Sequence, residues 1–124
     1  MIKMLYCMRR LPGMSEEEFK AYWREQHTPF FKGLAPAMNL KKYVQTHTLD
    51  IPFNEVLQRS RRLSRPYDGV AELWWDSEDE MIDAMSSDAG MDANMEVMGD
   101  EAKFIDMENS CAWICEDHVI YEGE

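Results

Sequence analysis

Positive charge, histidine and long apolar runs are all scarce in this chain. Against 24 Asp and Glu stand 13 Lys and Arg, a formal charge of −11 over 124 residues. Such a surface repels phosphate backbones and anionic lipid headgroups, so neither nucleic acid nor membrane is an expected partner. No apolar stretch reaches the roughly 20 residues that cross a bilayer. The opening Met1 to Cys7 meets Arg9-Arg10 too soon for a secretory signal, and a cytoplasmic protein is the expectation. Cys7, Cys111 and Cys115 are an odd count and read as free thiols rather than a disulfide framework. The length suits one sizeable core, so residues 1–124 are read as a single domain.

Methionine and aromatic residues are plentiful instead: eleven Met, with four Trp, five Tyr and five Phe. They suit either an ordinary core or a cavity for a flat, greasy ligand. Residues 2 to 9 alternate as a first strand with apolar character on both faces. Ser15 with Glu18 forms a capping box opening a helix that carries Phe19, Tyr22 and Trp23 and is expected to stop before Pro29, leaving His27 at its exit. Phe30 to Met38 reads as a short helical turn or a loop. Lys41 to Leu49 alternates as strand two, with Tyr43, Gln45 and His47 on one face. Asp50 to Pro66 is a basic, partly helical excursion. After the Asp68-Gly69 turn comes a third strand, Val70 to Trp75, in which Glu72 is the only charge. A second capping box, Ser77 with Glu80, opens a helix. Met91, Met95 and Met98 mark another from about Asp88 to Lys103, and a fourth strand spans about Met107 to Glu116.

This order, βαββαβ, is the ferredoxin-like pattern of the α+β class, a four-stranded antiparallel sheet with helices on one face. The other face, expected to carry Tyr43 and Trp74, needs cover, and a second subunit packed sheet to sheet is the economical answer.

Three segments, Phe19 to Pro29 (FKAYWREQHTP), Tyr43 to His47 (YVQTH) and Tyr67 to Trp74 (YDGVAELW), together resemble the EthD-like branch of the dimeric α+β barrel superfamily. The resemblance implies a homodimer and a small hydrophobic or aromatic ligand held behind the sheet, commonly without a cofactor. It places the family's helix-end histidine on His27, its strand-two histidine on His47 and its Asp-Gly motif on Asp68 and Gly69. Thr28 departs from the glycine usual before the proline.

The catalytic candidates are His47, His27, Tyr43, Glu72 and Asp68, and the expected substrate contacts are Tyr22, Trp74, Tyr6 and Phe30. Imidazole titrates near neutrality, so His47 beside Tyr43 is suited to passing a proton to or from an enol or phenol, although a strand histidine also serves as a backbone hydrogen-bond partner. His27 has two accounts, capping helix carbonyls or acting as a second acid. Glu72 either pairs with an arginine of the 59 to 65 stretch or sits unpaired with a raised pKa suited to a base. Asp68 is turn chemistry or the orienter of a histidine. Cys111, Cys115 and His118 lie too far apart along a strand to share a metal ion, and Trp113 between the cysteines reads as core. A haem ligand would have to be His27, His47 or His118, and no flanking motif supports one. Arg61, Arg62 and Arg65 are a solvated stretch or a clamp for a substrate carboxylate. The expected function is a cofactor-independent lyase or isomerase acting on an aromatic or polyketide-like molecule by enolisation. The alternatives are a cofactor-free phenol monooxygenase and a non-catalytic module that carries a hydrophobic metabolite.

Overall fold

A computed structural model describes residues 1–124. Strands β1 (Ile2–Met8), β2 (Lys42–His47), β3 (Gly69–Trp75) and β4 (Cys111–Cys115) form one antiparallel sheet in the order β2-β3-β1-β4. Helices α1 (Glu16–Ala21) and α2 (Thr28–Leu34) follow β1, α3 (Pro52–Arg61) lies in the excursion between β2 and β3, and α4 (Glu78–Ser86) and α5 (Asp88–Glu101) follow β3. The arrangement is the α+β, ferredoxin-like one. No helix is long and apolar enough to cross a membrane.

The capping serines act as their spacing predicts: Ser15 Oγ accepts from the Glu18 amide at 3.1 Å and Ser77 Oγ from the Glu80 amide at 3.2 Å. The helix break before Pro29 does not occur. A wide π-helical turn, Tyr22–His27, joins α1 to α2 with right-handed backbone at both joints. Pro29 therefore falls in the first turn of α2, where a missing N–H costs little. The carbonyl of Trp23 is instead satisfied from the side, by the Thr28 hydroxyl at 3.1 Å and the Gln45 amide at 3.2 Å. His27 thus sits inside a continuous helical run rather than at a helix exit.

The pleat sorts the sheet's side chains. Met4, Tyr6, Met8, Tyr43, Ala71, Leu73 and Trp75 face the helices, while Lys3, Leu5, Glu72 and Trp74 lie on the open side. Tyr43 and Trp74, expected on one face, are consequently on opposite ones. The expected fourth strand is shorter than its alternation suggested, because Met107–Asn109 form a 3₁₀ turn first. Trp113, expected in the core, projects from the open face and is half exposed.

Two buried clusters lie between sheet and helices. Met8, Phe19, Trp23, Ala71, Phe104 and Ile105 form one; Phe31, Met38, Ala84, Ala93 and Val97 form the other; Tyr43 and Leu73 pack against both. Gly69 is required for this packing, since a Cβ there would lie 2.5 Å from the Trp23 ring.

Candidate active site

Between the two clusters lies a cavity of about 260 Å³, walled by the sheet on one side and by the Tyr22–His27 turn, α2 and α5 on the other. Seventeen of its twenty lining residues are apolar or aromatic, and the other three are His27, Asn94 and Glu101. A larger groove, about 620 Å³, runs between α1 and the excursion. Its charges come in equal numbers, Arg9, Arg10, Lys20 and Arg65 with Glu16, Asp50, Glu55 and Asp68, and only four of its seventeen lining residues are apolar. That groove is a poor place for a hydrophobic ligand, and Arg61 and Arg62 do not line it.

The wide turn brings both Trp23 and His27 to the inner face, each almost fully buried. His27 Nδ1 lies 2.7 Å from Asp100 Oδ2 of α5, and the carboxylate's other oxygen accepts from the Tyr22 hydroxyl at 2.7 Å and pairs with Lys103 at 3.4 Å. Burial works to raise the Asp100 carboxyl, but the hydrogen bonds from Tyr22 and His27 win and hold it below its ordinary value. An ionised Asp100 fixes the proton of a neutral His27 on Nδ1 and leaves Nε2, which has no protein partner, as a lone pair.

Tyr43 is held from behind. Its hydroxyl oxygen accepts from Trp23 Nε1 at 2.9 Å and from Gln45 Nε2 at 3.2 Å, so both acceptor positions are filled and its own proton is free to donate into the cavity. Burial pushes the phenol up to about 12 against those two bonds, and it stays protonated across the neutral range. Tyr6 also lines the cavity, its pKa raised by burial first and by the charge of Glu101 second.

Glu101, in the last turn of α5, has no hydrogen bond or ion pair in the protein; burial, and then the neighbouring Asp100 charge, push its carboxyl up to about 7. Neither Asp100 nor Glu101 stood out in the sequence. The one available signal was two adjacent carboxylates at the C-terminal end of a helix, where the dipole disfavours negative charge.

Among the expected site residues, the structure brings His27, Tyr43 and Tyr6 to one cavity and leaves the others outside it. His47 shares Tyr43's strand face, but the Trp23 ring stacks on it at 4.5 Å and separates it from the cavity. Its Nε2 reaches Gln45 Oε1 at 2.9 Å, so its link to Tyr43 runs through that amide. Burial, and then Lys20 and Arg24, lower its pKa. Asp68 accepts from the backbone and guanidinium of Arg10 and orients no histidine; Asp100 has that part. Glu72 pairs with Lys3 at 2.9 Å on the open face, not with an arginine, because β1 places Lys3 beside it while the excursion passes over the other end of the sheet. Trp74 lies on that same face between the ammonium groups of Lys3 and Lys42. Phe30 points outward and its neighbour Phe31 lines the cavity, a one-residue difference that follows from the uninterrupted helix. Tyr22 reaches the site only through Asp100.

No protein of curated function shows significant sequence similarity to this chain. Solved structures do resemble it. An EthD-like protein from Ralstonia eutropha JMP134 superposes with a TM-score of 0.64 at 18% identity, over 97% of this chain and 94% of the other. A dimeric ferredoxin-like protein of unknown function from Thermobifida fusca YX gives 0.55 at 16% identity, over 92% and 88%. SnoaB, a cofactor-independent oxygenase from Streptomyces nogalater, gives 0.55 at 9% identity, over 98% and 97%. At these identities the likeness is one of fold. Family membership follows from the sequence itself: the EthD domain model matches residues 11–108, a span holding both His27 and Asp100, and the chain belongs to the EthD domain family.

Proposed function

We propose that the protein binds a small aromatic or enolisable ring compound in the 260 Å³ cavity and moves a proton on it by acid–base chemistry, as a lyase or isomerase that needs no cofactor. The observation that carries this reading is that His27, oriented by Asp100, and Tyr43, oriented by Trp23 and Gln45, line the same apolar chamber. His27 Nε2 takes a proton from the carbon next to a carbonyl, or from a phenol. The negative charge that develops on the substrate oxygen is met by the Tyr43 hydroxyl. Apolar walls exclude water and strengthen both interactions. Size narrows the substrate. A cavity of about 150 Å³ holds benzene, so 260 Å³ suits a substituted single ring rather than a fused polyketide.

The test is deuterium exchange at the methyl group of acetophenone in D₂O, followed by proton NMR. His27→Ala is expected to slow the exchange by about a hundredfold or more, and His47→Ala, which acts only through Gln45, by about tenfold or less. Exchange that survives loss of His27 removes it as the base. Binding with no exchange at all would make the protein a carrier of hydrophobic compounds.

The fold similarity to SnoaB favours a second reading, in which the phenolate formed at the same site reacts with molecular oxygen. Oxygen uptake with phenolic substrates separates the two.

We further infer that a second copy covers the open face of the sheet. Leu5, Val70, Trp74 and Trp113 give that face an apolar surface with no helix packed on it, and the similar Thermobifida fusca protein is described as dimeric. Light scattering of Trp113→Glu against the unmodified chain tests this; an unchanged mass argues against the face as the interface.

A further inference from the structure

Besides the tyrosines, three polar side chains line the cavity, and two of them are already engaged: His27 with Asp100 at 2.7 Å and the Asn94 amide with Met98 Sδ at 3.7 Å. Glu101 is not. Lys103, two residues on, turns its ammonium to Asp100 instead, and no other cation lines the cavity. An ionised carboxyl placed among apolar side chains without a partner is costly, whereas the protonated acid there is a strong hydrogen-bond donor. The groups that face it are Tyr6 from β1, Tyr43 from β2, His27 from the wide helical turn, and Asp100 on its own helix. Burial and the Asp100 charge both favour its protonated form, whose pKa is pushed up to about 7. The charge of Glu101 adds, after burial, to the raising of the Tyr6 and Tyr43 phenols.

We propose that Glu101 in its protonated form is a second hydrogen-bond donor to the substrate oxygen, beside Tyr43, so that the site accepts neutral ketones and phenols and loses them as this carboxyl ionises. This rests on the reading of the cavity as the substrate site and adds to it a chemical class and a pH limit. A carboxylic acid kept neutral by apolar surroundings supports a developing oxyanion as a tyrosine does. Ionised, the same group has no proton to donate and repels the oxygen it held. The cavity has no lysine or arginine to neutralise a substrate carboxylate, so carboxylate-bearing rings are excluded on the same ground.

The experiment uses the full chain and acetophenone, a single-ring ketone that does not titrate between pH 5 and 9. Its dissociation constant, measured by calorimetry, is expected to weaken about tenfold or more between pH 5.5 and pH 8.5. Glu101→Gln, whose amide still donates, is expected to bind at pH 5.5 within about threefold of the unmodified protein and to show no pH dependence. His27→Gln should keep the dependence, which assigns it to the carboxyl and not to the imidazole. A carbon-13 NMR titration of the Glu101 carboxyl in the unmodified protein gives the answer independently of any variant's folding. A flat binding profile, an undiminished pH dependence in Glu101→Gln, or a Glu101 carboxyl that ionises in the ordinary glutamate range overturns the proposal. Binding with the expected pH dependence but without deuterium exchange overturns only the proton-transfer reading, and no binding at any pH overturns both.

Discussion

On the helix side of the sheet Glu101 sits among Tyr6, Tyr43 and methionine with no cation; on the open side Glu72 sits among Leu5, Val70 and Trp74 and is met by Lys3 at 2.9 Å. Both carboxyls have aromatic neighbours, and what separates them is the partner. Lys3 is opposite Trp74, two residues along β3 from Glu72 and on the same face, and Asp117 shares its ammonium. The ammonium of Lys103, two residues along the chain from Glu101, pairs with Asp100. One face therefore uses its charge to settle a sheet surface, and the other leaves an acid with a proton to donate. The two histidines divide in the same way: His27 is held by a carboxylate and faces the cavity, while His47 is held by an amide behind Trp23.

Removing the wall between the two histidines is the largest perturbation. Trp23→Ala deletes a buried indole that packs on Phe19, stacks on His47 and donates to Tyr43, and it is expected to cost about 3–5 kcal/mol in urea unfolding. A cost near 1 kcal/mol would mean that the wall collapses readily and the separation of His47 from the cavity is soft.

Next in size is the pH dependence of stability at Glu101. Its folded pKa, about 7, is above the ordinary 4.5, so the folded state binds this proton more tightly than the unfolded chain does. The stability associated with it is fully present below about pH 4.5 and is lost as pH rises through about 7. Glu101→Gln escapes that loss and is expected to gain up to about 3 kcal/mol relative to the unmodified chain at pH 8. No gain at pH 8 would remove the contrast between the two carboxyls. Smallest is Glu72→Gln: its pair with Lys3 is partly solvated and Lys3 keeps Asp117, so a change of about 1 kcal/mol or less is expected across the neutral range.

Much of the architecture was legible in the chain. Period-two alternation gave three of the strands closely, and the two serine capping boxes opened helices where they stand. The Asp68-Gly69 step entered β3, and the glycine matters because Trp23 approaches it to within what a Cβ would forbid. The run from Tyr22 to Leu34 was not legible. Pro29 is a stop signal by local rules, yet a wide turn before it and side-chain donors from Thr28 and Gln45 make it harmless. That single difference moved His27 from a helix end to the cavity wall and exchanged Phe30 for Phe31.

Alternation, capping and turn chemistry act between residues a few positions apart, and they determined most of the elements and their order; the acidic, methionine-rich character is the composition itself. Which histidine meets a carboxylate, which glutamate meets a lysine and which face of β2 is covered depend on pairs such as His27 with Asp100 and Lys3 with Glu72, 73 and 69 residues apart. Such contacts form only when the strands pair and the helices close on the sheet. The tertiary structure decided them because desolvation and Coulomb attraction depend on distance in space, which spacing along the chain does not specify.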